Sequence, residues 1–346
     1  MNKINIAIIG GGIIGTIIAK EIKKFNPELS IAILEKRLLG FGSSFYSAGV
    51  HFPRGNSEYV RKMSLYSHEY YQKMITEGAP IYPLITELIT ERNNKKGTLD
   101  SYLPLTEFMS IQSSSNKDID ISLLPEMNIF QGKGCHYADV FNVVNLLIRK
   151  LRPLIKIYEG TSVNTLQKLT KGYQLGLSTG EQLEVEKVIL SPGSWIAEPA
   201  WHDQVSALGI RVKKIVAAHI RQIPKPQDPL TIFHDEDAFL LPCHNRGHWL
   251  FSYTCQEWDV EPQNIYALQP KDLSEARDVL SKYAPSLAQK IYDGRVFCDA
   301  YSVSRKPIIT YLDENLIFAG ATNGAGYRLA PAIAANVIKL LLQINS

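Results

Sequence analysis

The most informative segment of the chain is INIAIIGGGIIGTIIAKEIKKF, residues 4–25. A run of small and β-branched apolar residues ends in three consecutive glycines at 10–12, and apolar residues at helical spacing follow immediately. The pattern predicts a strand, a tight turn and a helix. The segment IAILE, residues 31–35, is typical of a second buried strand and ends on an acid, so that residues 4–35 form one β-α-β unit.

The glycines of this unit follow the spacing G-x-G-x-x-G at Gly10, Gly12 and Gly15, and Glu35 ends the next strand. The first glycine makes the turn, the second lets the backbone approach a pyrophosphate, the third packs helix on strand, and the acid accepts ribose hydroxyls. The helix N-terminus, which includes Ile14, offers free N–H groups to phosphates. The motif predicts dinucleotide binding; the alternative is a glycine turn that only closes a Rossmann-like core.

Composition sets broad limits on the class of protein. The chain has 346 residues, of which 45% are apolar and 21% charged, which is enough for two lobes. A net charge of +3 without a long Lys/Arg run gives no reason to expect a nucleic acid or an anionic membrane as partner. No segment approaches the roughly 20 apolar residues that span a bilayer. Oligomeric state is left open.

Cysteine and histidine spacing argues against metal and disulfide sites. The four cysteines are scattered without a CxxC pair, and the histidines lack a ligand spacing. We therefore expect no metal, no disulfide framework and a cytoplasmic location, since reduced thiols are typical of that compartment.

Two further motifs carry a family resemblance. LEK at 34–36 and G-S-S-x-x-S-A-G-V at 42–50 resemble the D-amino-acid oxidase, glycine oxidase and sarcosine oxidase family of FAD enzymes. The resemblance covers most of the chain, least clearly between about 80 and 130. It implies FAD as cofactor, and Lys36 fits because basic residues follow the acid in this family. It also implies cofactor contacts by a larger set: Ser43, Ser44, Ala48, Gly49, Val50, Val163, Ser191, Gly193 and Trp195.

The segment LIFAGATNGAGYRLAPAIAANVIKLL, residues 316–341, again predicts a strand, a glycine-rich turn and a helix. Pro331 is expected near the first turn of that helix. The segment resembles the closing part of the family, which brings a helix N-terminus toward the flavin pyrimidine ring. This implies cofactor contacts by Gly324, Ala325, Gly326, Tyr327 and Arg328. The alternative is a glycine turn that only packs.

Together these segments predict an α/β fold with a Rossmann-type FAD-binding lobe and a second, smaller mixed-sheet substrate lobe. The FAD lobe is discontinuous because the first and last segments build one site. We expect it to comprise residues 1–80, 131–214 and 296–346. The substrate lobe would comprise 81–130 and 215–295 and cover the isoalloxazine.

Arg328 is the first candidate for substrate binding. It lies where sarcosine-oxidase-like members carry a basic residue, and a planar guanidinium binds a carboxylate through two hydrogen bonds. The alternative is an arginine paired with a structural acid.

Three further residues are candidates for chemistry. His51 follows the G-S-S-x-x-S-A-G-V segment at 42–50, here called the flavin loop. Its side chain would act as a weak base or hydrogen-bond donor, unless it is solvated or has a structural role. Tyr253 would point its hydroxyl into the substrate cavity, unless it packs in the core. Glycine-oxidase-like members place an arginine before the last turn; here Arg305 follows that position by several residues, and the alternative is a surface residue. HDED, 234–237, would attract a cationic group or form a solvated turn.

Cys298 raises the possibility of a covalent flavin. Sarcosine-oxidase-like members attach the flavin through a cysteine in the strand before the last turn, and CDAYSVSRKPII matches that spacing to within one residue. The alternative is a buried, inert thiol.

The function that the resemblance implies is FAD-dependent oxidation of an amine or amino acid. A hydride passes from a carbon beside nitrogen to flavin N5, an imine forms, and oxygen accepts the electrons. One alternative is an FAD-dependent dehydrogenase of an amino or hydroxy acid that uses a quinone or a protein as acceptor. Another is a flavoprotein partner that turns over no small molecule.

Overall fold

A computed structural model describes residues 4–116, 119–265 and 267–343. The strands are β1 Ile4–Ile9, β2 Ile31–Glu35, β3 Val50–His51, β4 Ile81–Glu91, β5 Met109–Ile111, β6 Met127–Ala138, β7 Lys156–Glu159, β8 Val163–Lys168, β9 Tyr173–Leu177, β10 Gln182–Leu190, β11 Arg211–Ile220, β12 Leu230–Phe233, β13 Ala238–Cys243, β14 His248–Tyr253, β15 Ile291–Tyr301, β16 Ile308–Asp313 and β17 Leu316–Gly320. The α-helices are α1 Ile13–Phe25, α2 Ser43–Tyr46, α3 Glu58–Thr76, α4 Lys95–Ser101, α5 Val140–Leu151, α6 His202–Ser206, α7 Pro270–Ser281, α8 Pro285–Ala288 and α9 Gly326–Gln343.

The first sheet has eight strands, with β16-β17-β10-β1-β2-β7 as its main order and β9 and β8 attached to β10. The pairs from β17 to β7 are parallel, and β16 runs antiparallel to β17. Helices α1, α3, α5 and α9 contribute to one apolar core with a face of this sheet. Strands β1 and β17 are buried on both faces, which is why their sequences are nearly continuous apolar runs.

The second sheet has nine strands in the order β15-β11-β14-β13-β12-β4-β6-β3, with β5 on β6. One face packs on α7 and α8, whose alanine and leucine residues fill its core. The other face carries a separate apolar cluster on the cavity side. The mixed α/β fold with two sheets confirms the predicted fold class, although the second sheet has one strand more than the first and is not the smaller of the two.

The strands also bear on the predicted lobe boundaries, which stay a prediction. Strands β6, β11 and β15 each continue through a predicted boundary, at 130, 214 and 295 respectively, without interruption. Between 90 and 130, the short strand β5 pairs with β6.

No helix within the described residues is long and apolar enough to cross a membrane.

Candidate active site

A cavity of about 650 Å³ lies between the carboxyl ends of β1 and β2 and the inner face of the second sheet. Most residues predicted to bind the cofactor line it. They are Gly10, Gly12, Ile14, Glu35, Lys36, Ser43, Ser44, Ala48, Gly49, Val50, Val163, Ser191, Gly193, Trp195, Gly324, Gly326, Tyr327 and Arg328. Two predicted contacts, Gly15 and Ala325, do not line it, because the first packs on the β1–α1 turn and the second is buried in the core.

The turn between β1 and α1 requires glycine for steric reasons. A Cβ at Gly10, where φ is +111°, would lie 2.1 Å from the Ser191 carbonyl oxygen. A Cβ at Gly15 would lie 2.0 Å from the Gly10 carbonyl oxygen. Gly12 caps α1 without a side-chain hydrogen bond, and the N–H of Ile13 donates to Ser44 Oγ at 3.0 Å. The N-terminus of α1 therefore faces the cavity with the geometry of an anion site.

Glu35, at the end of β2, is held by the backbone. Its Oε2 accepts a hydrogen bond from the N–H of Gly11 at 2.8 Å, and its Oε1 accepts one from the N–H of Arg37 at 2.9 Å. Burial raises the pKa of Glu35, and the two backbone hydrogen bonds act in the opposite direction. Each oxygen keeps a second lone pair for hydroxyl donors from a ligand.

Lys36, on the cavity wall beside Glu35, already has partners in the protein. Its Nζ lies 2.6 Å from Glu198 Oε1 and 2.8 Å from the centre of the Trp195 ring. Burial lowers its pKa, whereas Glu198 raises it. Because Glu198 neutralises this ammonium, Lys36 is poorly placed to bind the ribose 2′-phosphate of NADP.

Helix α9 begins earlier than the sequence predicted. It starts at Gly326, so Arg328 lies inside its first turn and Pro331 inside the helix rather than near its start. The preceding turn is held by Asn323, whose N–H donates to the Ala300 carbonyl and whose Oδ1 accepts from the N–H of Ser302. This contact fixes the glycine-rich turn against β15.

Two arginines meet in the cavity. Arg328 comes from α9, and Arg54 comes from the segment after β3; both line the cavity. Burial, and after it the charge of Arg54, lowers the pKa of Arg328 to about 10. Arg328 Nε is buried and has no hydrogen-bond partner among the described residues.

Arg54 has partial compensation. Its Nη1 lies 3.3 Å from His234 Nδ1, and its Nη2 lies 3.5 Å from Asp237 Oδ1. Burial opposes ionisation of Asp237, but Arg54 and the Thr254 hydroxyl hold its pKa below the ordinary value. This group thus contains two guanidiniums and one carboxylate, and it favours an anionic ligand.

The comparisons with known proteins agree with this geometry. A family model described as FAD dependent oxidoreductase matches residues 5–340. The chain belongs to this family of FAD-dependent oxidoreductases. None of the curated proteins compared with it gives a significant match.

Solved structures show the same fold at low sequence identity. L-proline dehydrogenase from P. horikoshii is 20% identical with a TM-score of 0.81, and the alignment covers 99% of this chain and 94% of that one. Glycine oxidase from Bacillus cereus is 15% identical with a TM-score of 0.82, covering 99% and 98%. L-alpha-glycerophosphate oxidase from Mycoplasma pneumoniae, solved with FAD bound, is 16% identical with a TM-score of 0.81, covering 99% and 95%.

The family cofactor, FAD, fits the residues present. At Gly10 the backbone leaves no room for a side chain, and the N-terminus of α1 faces the cavity. Glu35 places a carboxylate at the end of β2, as ribose binding requires. The roles of the individual residues stay predictions.

The structure does not support three of the predicted catalytic residues of this oxidoreductase. His51 is fully buried and stacks on His136, with ring centres 4.6 Å apart, instead of facing the cavity. Tyr253 is among the residues that line the cavity, but its ring packs in the core against α7 and its hydroxyl donates to Glu275 Oε2 at 2.9 Å. Arg305 is exposed in a turn outside the cavity.

Strand alternation argues against a covalent flavin at Cys298. Asp299 lines the cavity, whereas its neighbour Cys298 is buried and does not. Successive residues of a strand point to opposite faces, so the thiol of Cys298 lies on the far side of β15. Burial raises the pKa of this thiol to about 12, so it is a poor nucleophile.

Sequence reasoning missed several cavity residues. Arg54 and Lys213 each carry a cation, and Asp299 is a half-buried carboxyl whose pKa desolvation raises to about 7. Of the 234–237 segment, His234 and Asp237 line the cavity, so it is more than a solvated turn. The one available signal was the position of Arg54 three residues after His51, directly behind the flavin loop.

Proposed function

We propose that this FAD-dependent oxidoreductase oxidises an amine or amino acid that carries a carboxylate, giving an imine. The observation that carries the proposal is the pair of cavity arginines, Arg54 and Arg328, of which the second has an unpartnered buried Nε. When bound, FAD supplies the acceptor for the hydride. The chain's own residues bind and orient the substrate.

The electrostatics of the pair support a carboxylate ligand. Burying a charge without a counter-ion costs several kcal/mol, and a second like charge nearby adds to that cost. Asp237 offsets one guanidinium, since it lies beside Arg54. A substrate carboxylate between Arg54 and Arg328 would offset the other and accept two parallel hydrogen bonds from a planar fork.

For the electron acceptor we propose oxygen, because the flavin-binding motifs of the sequence resemble those of the amino-acid oxidase family. For the compartment we propose the cytoplasm, since the four cysteines are free and buried. A dehydrogenase with a quinone or protein acceptor is the competing function, and the similar solved structures include an L-proline dehydrogenase as well as a glycine oxidase.

The test is a substrate panel in which each amino acid or N-methyl amino acid is paired with the amine that lacks its carboxylate. We expect at least one acid to bleach the flavin anaerobically, and its decarboxylated partner to do so at least 30-fold more slowly. Readmitted oxygen should restore the colour and release peroxide. Equal rates for both members of every pair would exclude carboxylate binding. Bleaching without reoxidation by oxygen would favour the dehydrogenase.

A further inference from the structure

Pro331, in the second turn of α9, removes a hydrogen bond from the first turn, which carries Arg328. Pro331 has no N–H and leaves the carbonyl of Tyr327, four residues earlier, without its helical donor. The hydroxyl of Tyr71, on α3, donates to this carbonyl instead. A side chain from another helix therefore replaces a backbone hydrogen bond of the turn, next to the proposed carboxylate anchor.

Further contacts hold the same turn. Ser67, one turn before Tyr71 on α3, accepts a hydrogen bond from the N–H of Ala332 at 3.3 Å. The Tyr71 and Tyr327 rings stack with centres 4.6 Å apart. The Tyr327 hydroxyl lies 3.1 Å from His136 Nε2, within hydrogen-bond distance. These side chains are buried, so bulk water does not compete for their hydrogen bonds.

From these contacts we propose that Tyr71 is a positioning residue for Arg328. It satisfies the backbone that Pro331 opens and so sets the direction in which the guanidinium enters the cavity. The inference rests on the proposed function, because it matters for turnover only if Arg328 holds the substrate carboxylate. A long side chain amplifies a small rotation of its backbone, and a displacement of about 1 Å at a binding group can cost about 100-fold in rate.

The test compares two tyrosines of the same helix. Tyr71→Phe removes the hydroxyl and keeps the buried ring. Tyr70→Phe is the matched control, because its hydroxyl bonds to Lys20 and Glu21, away from α9. We expect Tyr71→Phe to raise KM for the best carboxylate substrate about 10-fold with kcat within threefold. The Kd of propionate, measured from the flavin absorbance change, should rise equally. The control should leave both constants unchanged.

The route through the carbonyl is tested by Pro331→Ala, which supplies the missing N–H. In that background Tyr71→Phe should raise KM less than threefold. An equal rise in both backgrounds, or no rise in the parent, would overturn the inference. Should Tyr71→Phe fail to fold, Ser67→Ala, which removes the acceptor of the Ala332 N–H next to the same proline, should raise KM and the Kd of propionate in the same direction, and unchanged constants would overturn the inference.

Arg328→Ala separates the two possible failures. If it raises the Kd of propionate while Tyr71→Phe does not, the positioning role is wrong and the proposed function stands. If Arg328→Ala leaves that Kd unchanged, the proposed carboxylate site itself is wrong.

Discussion

Replacing Arg328 by alanine should lower kcat/KM for a carboxylate substrate by about 100- to 1000-fold. Burial and the charge of Arg54 lower the pKa of Arg328 from 12.5 to about 10. At about 1.4 kcal/mol per pKa unit, this shift means that the cavity destabilises the guanidinium cation by about 3 kcal/mol. A bound carboxylate would offset a destabilisation of that size, and the alanine variant would lose this contribution to substrate binding.

The assay is steady-state kinetics on the best substrate, with bound flavin measured by absorbance for every variant. Arg328→Lys should recover part of the loss, because the charge remains while the planar fork is lost. The matched control is Arg305→Ala, since that arginine is exposed outside the cavity and should retain full activity. If Arg328→Ala stays within threefold of the parent with flavin fully bound, the electrostatic reasoning is refuted.

Three other predictions address the cofactor and the buried histidines. Glu35→Gln should weaken FAD binding about 30-fold, or about 2 kcal/mol, measured by the fluorescence of released flavin, because a charged acceptor for hydroxyls is lost. Acid precipitation should leave all flavin in the supernatant, since Cys298 faces away from the cavity; coloured pellet would contradict this. Acid should destabilise the fold: burial lowers the pKa of His136 from 6.5 to about 3 and that of His51 well below 6.5. Below pH 6.5 the unfolded chain therefore binds more protons, and His136 should cost about 2 kcal/mol of unfolding free energy at pH 5 relative to pH 8, with His51 acting in the same direction. Urea denaturation at both pH values checks this, and His136→Phe should reduce the difference between them by about 2 kcal/mol.

The cofactor-binding part of the fold was predictable because its determinants are local. The turn at Gly10, the contact of Gly15 with it and the acid at Glu35 all lie within one β-α-β unit. The positive φ of Gly10, the contact of Gly15 with its carbonyl and the hydrogen bond from Gly11 to Glu35 are set within that unit, so the residue types and their spacing are enough to state them. The family resemblance added the flavin loop and the last turn, most of whose residues line the cavity.

The substrate end depended on the tertiary structure. Arg54 and Arg328 are far apart in sequence and meet only because β3 joins the second sheet while α9 starts at Gly326. A shift of one residue along β15 exchanges Cys298 for Asp299 at the cavity. The sequence matched the family spacing only to within one residue, so it could not show which of the two side chains faces the cavity.

His51 and Arg305 illustrate the same limit from the other side. Residue type and nearness to a motif suggested a chemical role for both. In the structure His51 is buried against His136, and Arg305 lies exposed in a turn. The local sequence pattern by itself thus predicted a dinucleotide cofactor, and the family resemblance specified FAD. The convergence of side chains that would select a substrate is a property of long-range packing, because neither strand phase nor helix start is set by residues near each other in the chain.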